Sequence, residues 1–159
     1  MEIIIAKNSG LCYGVRRALK IARETRQKKT GKVCTLGDLI HNPQVIADLK
    51  KQGIQSITDL DKLGKGWIII RSHGVSPDTY SQLEEKNIQI VDATCPIVQK
   101  IQKLVAMLAT QKEEIIIVGN KEHPEIKGLI GFRQGKGKIV ENEVQVKRLT
   151  RRKKRAVLA

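Results

Sequence analysis

The chain has 159 residues, 40% of them apolar, which is room for one full domain and part of another, and no apolar stretch is long enough to span a membrane. Its formal net charge of +14, from 30 Lys and Arg against 16 Asp and Glu, favours anionic metabolites, acidic proteins or nucleic acid as partners, although one Trp, two Tyr and one Phe leave little to stack on bases. Three cysteines at irregular spacing argue against a secreted disulfide scaffold, and with no signal peptide at Met1 the expected compartment is the cytoplasm.

Residues 3–6, Ile-Ile-Ile-Ala, read as a first strand. The loop Gly10-Leu11-Cys12-Tyr13-Gly14 follows, then a helix over 14–29 with Val15, Ala18, Leu19 and Ala22 on one face. A strand over 32–36 leads to His41-Asn42-Pro43, where Asn42 suits an N-cap and Pro43 the first helical position. That helix runs to Gly53, with a strand over 54–57 and a helical turn over 59–63 behind it. Residues 67–70, Trp-Ile-Ile-Ile, form the clearest buried strand; it ends in Arg71-Ser72-His73-Gly74, with Ser76 expected to cap a helix to about Lys86. A strand over 88–91 enters Asp92-Ala93-Thr94-Cys95-Pro96, which opens a long helix to Gln111. Another buried strand, 115–118, gives way to His123-Pro124-Glu125 and a short helix through Ile126, Leu129 and Ile130. Strands at 138–140 and 156–158 close the list, with a run over 147–155 in which seven of nine residues are basic, read as solvated or partner-facing.

Solidly apolar strands alternating with helices predict an α/β fold, a parallel sheet covered on both faces. The strand–helix pattern restarts after Cys95, giving one unit at 1–95 and a second, incomplete one at 96–159.

Cys12, His41, His73, Cys95 and His123 each fall after a strand and before a helix. In a parallel sheet these positions share the carboxyl edge, where open α/β folds bind ligands. Cys34 is mid-strand, on the same side as Leu36, and reads as core. Three histidines among helix N-termini make a good anion site. Cys12 and Cys95 meet free N–H groups and the positive end of a helix dipole, a setting suited to a thiolate ligand. Zinc is open, but no close Cys or His pair is present, and single cysteines one per unit suit an iron–sulfur cluster better. Glu125 is the one acid on an otherwise basic rim and is placed to hand over protons.

Gly10-Leu11-Cys12-Tyr13-Gly14-Val15, Leu39-Ile40-His41-Asn42-Pro43, Arg71-Ser72-His73-Gly74-Val75, Asp92-Ala93-Thr94-Cys95-Pro96 and His123-Pro124-Glu125 occur in this order. Together they resemble the N-terminal half of the 4-hydroxy-3-methylbut-2-enyl diphosphate reductase family, over essentially the whole chain. The resemblance implies three pseudo-equivalent α/β domains around a central [4Fe-4S] cluster, of which this chain would hold one and part of a second. It implies Cys12 and Cys95 as two of three cluster ligands, His41, His73 and His123 in the diphosphate pocket, and Glu125 as proton donor to the substrate hydroxyl. The implied reaction removes the hydroxyl of an allylic diphosphate with two electrons and two protons, in the methylerythritol phosphate route to isoprenoids. Ferredoxin or flavodoxin, both acidic, would donate the electrons. The family's third cluster cysteine, a Ser/Asn diphosphate group and a Gln-Thr-Thr motif are not in this sequence. The expectation is therefore a truncated or split product, inactive without a complementary C-terminal half.

Two other classes compete. A basic α/β module would bind nucleic acid through 147–155, its Cys and His incidental; a zinc-dependent hydrolase would use the same rim.

Overall fold

A computed structural model describes residues 2–7, 9–111, 114–135, 137–149 and 155–158. The first sheet contains β1 (Lys32–Leu36), β2 (Ile54–Ile57), β3 (Gly66–Ile70) and β4 (Gln89–Asp92), in the order β2-β1-β3-β4. Every pair is parallel, with Val33 opposite Ile54, Cys34 opposite Ile68 and Ile68 opposite Ile90. Helices α1 (Tyr13–Lys28), α2 (Pro43–Lys51) and α3 (Pro77–Glu85) connect and cover it, with a single 3₁₀ turn at Leu60–Lys62.

The apolar strands are explained by two cores, one on each face. Val33 and Ile69 pack with Ala18, Leu19 and Ala22 of α1 and Leu49 of α2. Their strand neighbours Cys34, Ile68 and Ile70 point the other way, onto Leu83 of α3. Ile68, Ile69 and Ile70 are all fully buried, each contributing about 1.5–3 kcal/mol of transfer free energy. Alternation is invisible in such a strand because both faces are covered.

Helix α4 (Pro96–Thr110) leads to a second parallel sheet, β6-β5-β7, made of β5 (Glu114–Val118), β6 (Lys138–Val140) and β7 (Arg155–Leu158). Val105 and Ala109 of α4 and Leu129 of α5 (Pro124–Phe132) pack on Ile115 and Ile117. Helix α5 also crosses to the first unit. A Cβ on Gly131 would lie 2.5 Å from Ser76 Cβ and 2.9 Å from Pro77 Cδ, and one on Gly128 would lie 3.7 Å from the His73 and Gly74 carbonyl oxygens. Gly131 lets α5 lie directly on the His73 loop, with Gly128 in ordinary contact with it.

Three expectations need correction. Residues 3–6 form no strand: Ile3, Ile4 and Ile5 are 72%, 84% and 79% exposed. β-propensity alone does not make a strand, and no described strand offers this segment a ladder. Ser76 stands at the N-cap of α3, but its Oγ bonds Thr79 Oγ1 at 3.1 Å rather than a backbone N–H. The basic run is only partly a solvated face. Residues 150–154 lie outside the described residues; Lys147 and Arg148 are exposed as expected, Lys147 pairing with Glu143 in solvent, but Arg155 is drawn into β7, its Nε donating to Glu114 Oε2 at 2.8 Å.

An unexpected short helix, α6 (Glu143–Lys147), follows β6. Its signal was Asn142-x-x-Gln145. Asn142 Oδ1 accepts from the Gln145 N–H at 3.0 Å, and Gln145 Oε1 accepts from the Glu141 N–H at 2.7 Å.

Candidate functional site

Three histidine-bearing turns converge where the strands end. His41 follows β1 and precedes α2, whose cap Asn42 accepts from the Val45 N–H at 3.1 Å. His73 follows β3, in a turn closed by the Gly74 N–H donating to the Arg71 carbonyl at 3.0 Å. Gly74 has φ +70°, a left-handed conformation that a side chain would strain. His123 follows β5 and is itself the N-cap of α5, its Nδ1 accepting from the Glu125 N–H at 3.3 Å. That bond leaves the proton of a neutral ring on Nε2, facing away from the helix.

The three rings meet. Centroids of His41 and His73 are 4.3 Å apart, His41 and His123 5.5 Å, and His73 and His123 5.8 Å. His41 and His123 are exposed, and His73 is half-buried behind them with an Nδ1 that has no partner among the described residues. Burial chiefly, then the neighbouring His41, Arg71 and His123, pushes the pKa of His73 down to about 4. At neutral pH it is therefore uncharged. The cluster offers imidazole N–H groups within a few ångströms of one another, which suits an anion with several oxygens. Glu125, half-buried in the first turn of α5, is two residues from His123.

Cys95 follows β4 on the same rim, whereas Cys12 follows no strand and reaches the rim through the turn that opens α1. Cys12 and Cys95 occupy the N-caps of α1 and α4, and neither side chain caps its helix. Cys95 Sγ lies over Gly14, 2.5 Å from where a Cβ would stand, so the Cys12–Gly14 turn is pressed against Cys95. Arg17 Nη1 reinforces this by donating to the Thr94 carbonyl at 3.1 Å.

Two networks fix the Cys95 turn. Asp92 accepts from the Thr94 N–H at 2.8 Å, from Tyr80 Oη at 3.1 Å and from Gln99 Nε2 at 3.2 Å. Burial and the adjacent Asp92 push the Tyr80 phenol up to about 12, so it remains a donor. The second network crosses the sheet edge. Ser72 N–H and Oγ both donate to the Leu39 carbonyl, at 3.2 and 3.0 Å, and the Ser72 carbonyl accepts from the Cys95 N–H at 2.9 Å. The His41, His73 and Cys95 turns are thus tied through one residue.

Cys34 is fully buried in β1, and burial raises its thiol pKa, so it belongs to the core. Among the described residues no group of three or more His, Cys, Asp or Glu is arranged to hold a metal ion, and no helix is long and apolar enough to cross a membrane. Sequence reasoning quoted Gly14 and Asp92 within motifs but gave them no role, and it did not single out Tyr80, Gly128 or Gly131. The Gly-x-x-Gly spacing on α5 was the one readable signal among them.

The family profile described as LytB protein matches residues 3–159. The chain belongs to the LytB family. Among LytB relatives, the 4-hydroxy-3-methylbut-2-enyl diphosphate reductase of Geobacter metallireducens is 40% identical over 159 residues, which is all of this chain and 56% of that protein. The enzyme of the same name from Caldanaerobacter subterraneus subsp. tengcongensis is 44% identical over 153 residues, 94% of this chain and 53% of that protein. A solved structure of the Plasmodium falciparum E-1-hydroxy-2-methyl-but-2-enyl-4-diphosphate reductase superposes with a TM-score of 0.91 at 31% identity, covering 96% of this chain and 49% of that one. A second solved structure, the (E)-4-hydroxy-3-methyl-but-2-enyl diphosphate reductase described as the terminal enzyme of the non-mevalonate pathway, gives a TM-score of 0.80 at 39% identity. It covers 91% of this chain and 52% of that one. The chain spans about half the length of the LytB relatives it matches.

Proposed function

We propose that this chain supplies the diphosphate-binding and proton-donating part of a 4-hydroxy-3-methylbut-2-enyl diphosphate reductase. The observation that carries the reading is the meeting of His41, His73 and His123 within 4.3–5.8 Å, with Glu125 on the helix that His123 caps. The relatives' shared name supports it.

The histidines hold the diphosphate oxygens and offset their charge. This orients the allylic hydroxyl toward Glu125. Glu125, in its acid form, gives a proton to that oxygen as the C–O bond breaks and water leaves. With two electrons and a second proton, the remaining allylic fragment becomes isopentenyl or dimethylallyl diphosphate.

Cys12 and Cys95 fit two positions of an iron–sulfur cluster: their turns are in contact, Gly14 leaves the space Cys95 Sγ occupies, and neither thiol is used in a cap. When bound, a [4Fe-4S] cluster supplies electrons and Lewis acidity at an iron without a protein ligand. Buried Cys34 does not suit a third ligand; the resemblance puts that cysteine in the part of the relatives that these residues do not span. An acidic ferredoxin or flavodoxin suits a chain of net charge +14 as electron donor, and the cytoplasm is the expected site of action.

The test is anaerobic reconstitution with iron and sulfide, with and without a polypeptide carrying the later part of a relative, followed by iron counting and an assay with a reduced donor. The chain alone is expected to bind diphosphate weakly, hold iron poorly and turn over negligibly; the pair is expected to be active. An inactive pair that binds no diphosphate would overturn the reading.

A further inference from the structure

A cavity of about 300 Å³ opens at the carboxyl edge of the first sheet, beside α3, lined by Leu36, Gly37, Thr58, Leu60, Arg71, Val75, Thr79 and Gln82. No histidine or cysteine lines it, although Arg71 also stands in the His73 turn and its charge acts on His73. Its chemistry is divided. Val75 is buried and Leu36 and Leu60 are half-buried, while Thr58 and Gln82 are exposed. The apolar groups therefore form the floor and the polar ones the mouth.

Arg71 is the unusual member. It is half-buried, its Nε is buried without a hydrogen-bond partner, and no carboxylate among the described residues pairs with it. Its guanidinium lies over Gly37: Nη1 is 2.9 Å from where a Cβ on Gly37 would stand, and Gly37 has φ +69°. A buried Nε with no partner is costly to leave unsatisfied, and a ligand reaching it would complete it. Thr58 adds a hydroxyl donor and Gln82 an amide, and Thr79 a hydroxyl already bonded to Ser76 Oγ. Asp38 is the nearby carboxylate, close enough to act on Arg71 through space but not hydrogen-bonded to it.

We propose that this cavity binds a phosphomonoester with a short apolar chain, the phosphate on Arg71 at the mouth and the chain on Leu36, Leu60 and Val75. A guanidinium matches phosphate geometry through paired N–H donors.

The test uses the full chain with His41, His73 and His123 replaced by Ala, so that the histidine site cannot contribute, and butyl phosphate and inorganic phosphate as probes in titration calorimetry. Butyl phosphate is expected to bind about tenfold more tightly than inorganic phosphate, because it also buries methylenes. Arg71→Met is expected to weaken butyl phosphate by at least about tenfold, the loss of a charge-assisted bond. Asp38→Asn is expected to tighten it about twofold by removing a competing charge at the surface. Circular dichroism checks the fold of each variant, and Thr79→Val, expected to weaken binding, stands in for Arg71→Met if that variant does not fold. Equal affinity for the two probes, or unchanged affinity in Arg71→Met or in its substitute, would overturn the proposal.

Discussion

Gly14 and Cys95 are in contact across the rim: a Cβ on Gly14 would stand 2.5 Å from Cys95 Sγ. Gly14 has an ordinary helical backbone in the first turn of α1, where Ala would normally be favoured by about 1 kcal/mol. What keeps it Gly is the sulfur. Gly14→Ala is expected to leave secondary structure intact yet displace Cys95, lowering the iron retained after reconstitution with the complementary polypeptide. Iron retention equal to the parent would remove Gly14 from the thiol site.

Glu125→Gln keeps the α5 cap, which uses the backbone N–H of residue 125. Diphosphate binding should therefore survive while turnover in the assembled enzyme is lost, because an amide has no acid form to donate from. Binding by calorimetry and turnover at saturating substrate separate the two effects. Full turnover would take Glu125 out of the reaction.

Each of His41→Ala, His73→Ala and His123→Ala should cost roughly 1.5–3 kcal/mol of diphosphate binding, the scale of a hydrogen bond to a charged group. The rings touch one another, so the three losses should not add. Unchanged affinity accompanied by loss of iron would make them metal ligands instead.

The depressed pKa of His73 sets a pH window. Its ordinary value is 6.5 and its folded value about 4. Between these the unfolded chain binds a proton that the folded chain refuses, so this residue lowers stability as pH falls from about 6.5 to 4. A bound diphosphate reverses the preference, since its charge favours the imidazolium. Binding should take up protons and strengthen as pH falls from 7 toward 5, seen as a buffer-dependent heat in calorimetry. Affinity that falls over that range would contradict this.

Gly128 and Gly131 give a matched pair. A Cβ at 128 makes ordinary contacts at 3.7 Å, whereas one at 131 would press on Ser76 and Pro77. Gly128→Ala should be neutral or stabilising by up to about 1 kcal/mol. Gly131→Ala should destabilise by about 1–3 kcal/mol and weaken diphosphate binding, because it lifts α5 and His123 off the His73 loop. Denaturant titration and phosphate-ligand calorimetry check both.

Much of this was legible because local signals agreed. Pro at the first helical position of α2, α3, α4 and α5 marks each helix start, and the triple-isoleucine runs mark β3 and β5. Their alternation placed His41, His73 and Cys95 at strand ends of the first sheet and His123 at a strand end of the second, whereas Cys12 follows no strand. Residues 3–6 carried the same β-branched signal without a partner strand, and pairing is a tertiary fact that no window of sequence contains. Close approaches were hidden for the same reason. Gly14 in its motif and Gly131 in its Gly-x-x-Gly pair do not say why glycine is needed until the atoms that fill their Cβ positions are seen. The contact of Arg71 with Gly37 likewise joins residues far apart in sequence and adjacent across the β1–β3 pair.

The bonds through Ser72 have a consequence on the timescale of amide exchange. The N–H groups of Ser72 and Cys95 lie on one continuous path from Leu39 to α4. Opening at either bond loosens the support of the other. The two amides should therefore exchange with solvent as one cooperative unit, at a common opening free energy well above that of the exposed loop amides around them. An anion clasped by the histidines would slow both together, although it touches neither.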